Sequence, residues 1–176
     1  MNGLKKIGVV VCLLMIIGAH AHTPLAKVRE GFYVAVNDSK KAVSLLKGIN
    51  RIPEKTSTIK VYEGATYAIL AKTKWNPFSA LALLKKANYT MNAAVNQSPT
   101  DIEIRFIRFA VQKNIPSFLG YSENLEEDKT YIIQHINRFD GITLNKEMKD
   151  YIIYFMEEQG EYNQEELQLI RSKLST

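Results

Sequence analysis

Two arginines, Arg105 and Arg108, stand three residues apart in the run EIRFIRFAVQKN, and Gln112 follows four residues later. Guanidinium forks at this spacing lie on one helix face and can grip a carboxylate or phosphate through paired hydrogen bonds. Tyr121, beyond a proline break at Pro116, adds a phenol that a folded loop can bring to the same place. Arg105, Arg108, Gln112 and Tyr121 are therefore the candidate binding residues. Carboxylates come next in the chain, with Glu126, Glu127 and Asp128 consecutive. Paired acids carry out glycoside hydrolysis when their environments drive their pKa values apart. Consecutive acids at a helix start more commonly serve the macrodipole and solvent. Histidine chemistry lacks parts, because only His20, His22 and His135 are present and no H-E-x-x-H, phosphate-cradling glycine loop or G-x-S-x-G accompanies them. No metal site and no cofactor is expected, and catalysis is the less favoured class.

At 100° per residue Asp101, Arg105, Arg108 and Gln112 form one narrow stripe, and most of the remaining circumference is apolar. Such a helix is covered on most sides. The stripe has two readings. Either it lines a groove for an anionic partner, or it packs on the acidic C-terminal half, with Asp101 supporting Arg105 from one turn away and Glu126 to Asp128 pairing with the arginines. The second reading is favoured by the distribution of charge. Residues 22–122 hold 15 Lys and Arg against 6 Asp and Glu, whereas residues 123–176 hold 6 against 12. The whole-chain charge of +5 is too modest for nucleic acid to be an expected partner.

The elements that position these residues are helices. LAKVREGFYVAVN and SKKAVSLLKGI carry apolar residues at helical spacing, the second from a Ser39 cap. Thr58 is a candidate cap for IKVYEGATYAILAKTKW, which would place Tyr62, Tyr67 and Trp75 on one helix. Asn76-Pro77 starts PFSALALLKKANYTMNAAVNQ, and Ser98-Pro99 repeats the device before the arginine helix. Phe118, Leu119 and Tyr121 are expected to fold back under the turn before Ser122 caps the acidic helix. Asn145, Gly160 and the Asn163/Glu166 capping box delimit two last helices. No segment reads as a strand, so the expected fold is all-α, with about seven or eight helices in antiparallel hairpins. The expected organisation is one domain over residues 22–176, with a repeat-like core at about 56–138 and a C-terminal pair at about 144–175.

The segment before this domain, MNGLKKIGVVVCLLMIIGAHA, sets Lys5 and Lys6 ahead of an apolar run from Ile7 to Ile17 and ends in Ala19-His20-Ala21. That is the pattern of a signal peptide cleaved after Ala21. The run falls short of the roughly 20 residues a spanning helix needs, so no stable membrane anchor is expected after cleavage. The only cysteine, Cys12, would leave with it, removing disulfide and thiolate chemistry.

Gly64 and Tyr67, with Ala87, Met91, Ala94 and Pro99, resemble the helix-pair pattern of tetratricopeptide repeats, although Lys60 and Glu63 stand where that repeat has tryptophan and leucine. More broadly, YEGATYAILAKTKWNPF, NAAVNQSP and EIRFIRFAVQKNIPSFLGYSENLEEDK resemble a family of short, uncharacterised exported proteins from the Bacteroidota over roughly Lys27 to His135. The resemblance implies export and a helical fold and carries no catalytic residue. The resulting expectation is an exported helical binding or assembly module that meets an envelope protein in the periplasm. Its alternative is a small carboxylate-dependent glycan- or cell-wall-processing hydrolase.

Overall fold

The computed structural model describes residues 23–142 and 146–174, and these contain eight α-helices, two 3-10 segments and no strand. The all-α expectation holds. The expected signal segment, Cys12, His22 and the Asn145 cap lie outside the described residues.

Helices α1 (Pro24–Ala35) and α2 (Ser39–Ile49) form the first pair. Thr23 caps α1, with Pro24 at a position where the missing N–H leaves nothing unsatisfied. Asp38 caps α2 by accepting from the amides of Lys40 and Lys41. The sequence assigned that role to Ser39, which is the first helical residue instead. A carboxylate there also meets the positive end of the helix dipole. Similarly Thr56, not Thr58, caps α3 (Ser57–Lys72), and the Thr58 hydroxyl is turned toward Asp101 at 3.4 Å.

Helix α4 (Pro77–Gln97) starts at Asn76-Pro77 as expected, and it packs antiparallel on α3 as the most extensive helix pair among the described residues. Ser57 and Ser98 hydroxyls meet at 2.9 Å at one end of this hairpin, beside the Lys60 to Gln97 hydrogen bond at 3.0 Å. Gly64 explains the closeness. A Cβ there would sit 2.6 Å from Met91 Cγ and 3.0 Å from the Ala87 carbonyl oxygen, so the glycine's cost in helix propensity is offset by the approach it permits. Ala87, Met91 and Ala94 are wholly buried against it. Trp75 is not on α3 with Tyr62 and Tyr67. The helix stops at Lys72, and the indole projects from the α3–α4 turn, fully exposed.

Helix α5 (Ile102–Lys113) crosses the centre and is buried on almost every side. Its cap is Asp101, which accepts from the amides of Glu103 and Ile104, so Ser98-Pro99 does not start it. Ser98 closes α4 and its hydroxyl is taken by Ser57, leaving residues 98–100 as a turn. After Pro116 a 3-10 segment (Ser117–Leu119) ends at Gly120, whose φ of 73° lies in the left-handed region that glycine enters without strain. Phe118 does not fold back under this turn and is 85% exposed.

Helix α6 (Leu125–Gln134) runs back antiparallel along α5, preceded by Asn124 and not capped by Ser122. A second 3-10 segment (Ile136–Gly141) inserts Phe139 into the core. Helices α7 (Lys146–Gln159) and α8 (Gln164–Leu174) complete the chain. Gly160 follows α7 as expected, where a Cβ would strike the Tyr162 ring at 2.4 Å. The Asn163/Glu166 box forms reciprocally, at 2.8 and 2.9 Å. Phe106 and Phe109 of α5 meet Phe155 of α7 edge-to-face at 5.8 and 6.1 Å, which ties the C-terminal helices to the centre.

Candidate functional site

The arginine helix is the natural starting point, because burial of its polar stripe requires partners. Asp128, in the first turn of α6, is completely buried and supplies them. Arg108 grips it with Nε to Oδ2 and Nη2 to Oδ1, both at 2.7 Å, in the bidentate geometry that makes such pairs strong. Arg105 Nη1 reaches Asp128 Oδ1 at 2.9 Å and also donates to Glu127 Oε1. Further donors of both guanidinium groups are satisfied as well. Arg105 Nε donates to the Pro99 carbonyl and Arg108 Nη1 to Asn92 Oδ1, both at 3.0 Å, while Arg105 lies over the Tyr131 ring at 4.8 Å. Gln112 extends the network by donating to Asn88 at 3.2 Å and Asn124 at 3.3 Å, and its own Oε1 is buried without a partner among the described residues.

The stripe is thus a clamp joining α4, α5 and α6. Three of the four candidate residues come together in it. Tyr121 does not; it sits half-buried in the loop before α6, with no hydrogen bond to either arginine among the described residues. The expected support of Arg105 by Asp101 is also absent. That carboxylate is spent on capping α5 and on Thr58, so the stripe is completed from α6 and from a backbone carbonyl.

Glu126 and Glu127 were the candidate acids of the hydrolase alternative, and Glu127 is the one beside the arginines. Its hydrogen bond from Arg105, with the nearby positive charges of Arg105 and Arg108, holds its carboxyl below the usual glutamate range against an opposing effect of burial. A general acid needs the opposite shift. Because the folded pKa is depressed, the stabilisation is complete above the ordinary glutamate range and fades as pH falls through it. With the side chain 56% exposed, we expect Glu127→Gln to cost at most about 1 kcal/mol at neutral pH and to flatten the loss of stability in acid, as read by denaturant unfolding from pH 7 downwards.

A second buried ion pair escaped the sequence reading. Glu103, on the opposite side of α5, is 4% exposed and accepts from Arg29 Nε at 2.7 Å and Nη2 at 2.5 Å, and from the Tyr62 hydroxyl at 2.8 Å. Burial, with the Glu103 charge beside it, pushes the Tyr62 phenol well above its ordinary pKa. The available signal was that Glu103 broke an apolar surface; its partner lies 74 residues away and no local spacing points to it.

With the arginines committed, open and largely apolar concave surface is found elsewhere. A cleft of 440 Å3 runs between α1, α3, α5 and α7. Ala65 and Ala68 of α3 and Ala110 of α5 keep its floor low, and Phe32, Tyr151 and Phe155 form aromatic walls. Lys72, Asn114 and Gln159 stand among its polar lining residues. Lys72 is exposed and has no carboxylate partner among the described residues. The volume falls within the roughly 300–1,000 Å3 of ligand pockets, and the lining has their usual apolar character with few polar groups. Sequence reasoning missed this site because its features are small side chains on helices far apart in the chain.

No group of His, Cys, Asp and Glu suited to a metal ion occurs among the described residues, and no described helix is long and apolar enough to cross a membrane. His135 is packed, its ring stacked on Tyr131 at 4.1 Å and Nδ1 2.9 Å from the Tyr131 carbonyl oxygen. No family model matches the chain, and neither a curated protein nor a solved structure shows significant similarity to it.

Proposed function

We propose that the chain is an exported helical binding module whose binding face is the apolar cleft between α1, α3, α5 and α7. The observation that carries this reading is the cleft itself: 440 Å3 of open, alanine-floored space, while Arg105 and Arg108 are already paired with Asp128 inside the fold. The occupant is the apolar face of an envelope partner's helix, which anchors a few large side chains between existing helices in the helix-in-groove mode. Lys72 at the cleft favours an acidic residue beside those anchors. Export rests on the N-terminal pattern of Lys5, Lys6, the apolar run and Ala19-His20-Ala21. The hydrolase alternative gains nothing from Glu127, whose carboxyl is held in the deprotonated form by Arg105.

Anilinonaphthalene sulfonate, an apolar dye with one negative charge, tests the cleft without knowledge of the partner. We expect its fluorescence to rise on adding the folded protein and to fall at least about tenfold in apparent affinity for Ala110→Phe, which fills the floor, a loss of about 1.4 kcal/mol. Unfolding midpoints run in parallel separate loss of the site from loss of the fold. Equal dye binding by a folded Ala110→Phe variant would remove the cleft as the site.

A further inference from the structure

From Gly64 to Thr100 the chain contains Lys72, Lys74, Lys85 and Lys86 and no Asp or Glu. This stretch makes up most of the α3–α4 hairpin, so a wholly basic surface is concentrated on one element. It is also where large apolar side chains face water. Trp75 in the turn is 101% exposed, Phe78 in the first turn of α4 is 82% exposed, and Leu81 is 45% exposed. Tyr89 continues the row at 77%. Phe78, Leu81, Lys85 and Tyr89 are three or four residues apart, which places them on one outer stripe of α4, on the side away from the Ala87, Met91 and Ala94 contacts with α3. Isolated exposed apolar residues are ordinary, but Trp75, Phe78 and Leu81 grouped at the tip of one hairpin, with Tyr89 farther along the same face, are not.

Two chemical features name the occupant. Trp and Tyr combine an apolar body with a polar edge, and they gather where hydrocarbon meets water. Lysines carry long apolar stems that let the ammonium remain among phosphates while the stem enters the apolar layer. An acid-free basic field attracts an anionic surface and repels a cationic one. We propose that the α3–α4 turn and the outer face of α4 dock peripherally on an anionic lipid bilayer, with Trp75 and Phe78 entering the interface and Lys72, Lys74 and Lys85 meeting the phosphates. This does not depend on the cleft being a binding site. It does set the cleft close to the bilayer, since Lys72 and Ala80, which line it, flank the same turn.

Trp75 is the only tryptophan in the chain, so its emission reports this tip alone, whatever residues 1–21 do. Full-length protein is titrated with phosphatidylglycerol vesicles and with phosphatidylcholine vesicles. The expected result is a blue shift of Trp75 emission, and quenching by chain-brominated lipid, with the anionic vesicles only. Each lysine near such a surface is worth a factor of about five in partitioning, so Lys72→Gln with Lys74→Gln should weaken binding roughly 30-fold. Both positions are exposed, so their change should leave the fold intact. Ala110→Phe, which fills the cleft, should leave the vesicle response unaltered. Unmoved Trp75 emission with phosphatidylglycerol would overturn the proposal and leave a protein surface as the reading of the patch. Equal partitioning into neutral and anionic vesicles would overturn it too.

Discussion

Replacing Asp128 by alanine should destabilise the fold by about 3–5 kcal/mol, the range expected when one partner of a buried ion pair is removed. Asp128 is wholly buried, and among the described residues it is the only carboxylate that both arginines hold at 2.9 Å or closer. Its loss leaves two guanidinium groups, 8% and 3% exposed, short of the anion that offsets their desolvation. Glu127 cannot replace it, because that side chain is 56% exposed and stands 3.6 Å from Arg108. For a chain of this size 1 kcal/mol corresponds to roughly 2–4 °C in melting temperature, so a fall on the order of 10 °C is the expected reading. Asp128→Asn keeps one acceptor oxygen and should fall between wild type and Asp128→Ala. Removing Arg108 in the Asp128→Ala background should then cost much less than removing it alone, since the two residues form one network. A melting temperature for Asp128→Ala within about 2 °C of wild type would show that the clamp contributes little.

The helical skeleton was legible because its signals are local. Asn76-Pro77, Gly160 and the Asn163/Glu166 box each act within four residues, and each stands where the spacing placed it. The union of Arg105 and Arg108 with Glu127 and Asp128 was legible for a different reason. A stripe one or two side chains wide on an otherwise apolar helix requires opposite charge nearby, and the chain's acids lie mainly in its C-terminal third. The caps that shifted were settled by tertiary contacts. Thr58 and Ser98 were free to cap by sequence, yet Asp101 draws the first hydroxyl and Ser57 the second. Phe118 was expected under the turn and Trp75 on a helix with Tyr62 and Tyr67, yet both are exposed, and a chain carries no local mark that distinguishes an aromatic bound for the core from one left at the surface. The cleft left even less trace, since it is built from alanines on α3 and α5 that are more than 40 residues apart, and only their packing makes a space.

Glu103 poses the second large test, because it was the polar residue on α5 that the sequence left unexplained. It is 4% exposed and satisfies two elements at once: the fork of Arg29 on α1 and the phenol of Tyr62 on α3, itself 2% exposed. Glu103→Ala should cost about 3 kcal/mol or more, since it removes the carboxylate that the Arg29 fork grips and leaves a buried hydroxyl donor without its acceptor. Glu103→Gln should cost clearly less. The amide oxygen still accepts from Tyr62, while the charge and the second acceptor for Arg29 are lost. The comparison divides the effect, with the Gln variant reading the grip on Arg29 and the further drop to Ala reading the remaining hydrogen bond and the packing. Tyr62→Phe completes a cycle: it should cost about 1 kcal/mol in the wild type and close to nothing beside Glu103→Ala, because the hydroxyl then has no carboxylate to lose. If the two single changes add without coupling, the Tyr62 to Glu103 bond does not hold α3 to α5. α1 would still be tied to its neighbours by the Arg29 to Glu103 pair and by the apolar contacts of Val28 and Phe32, including the edge-to-face stack of Phe32 on Tyr62 at 5.1 Å.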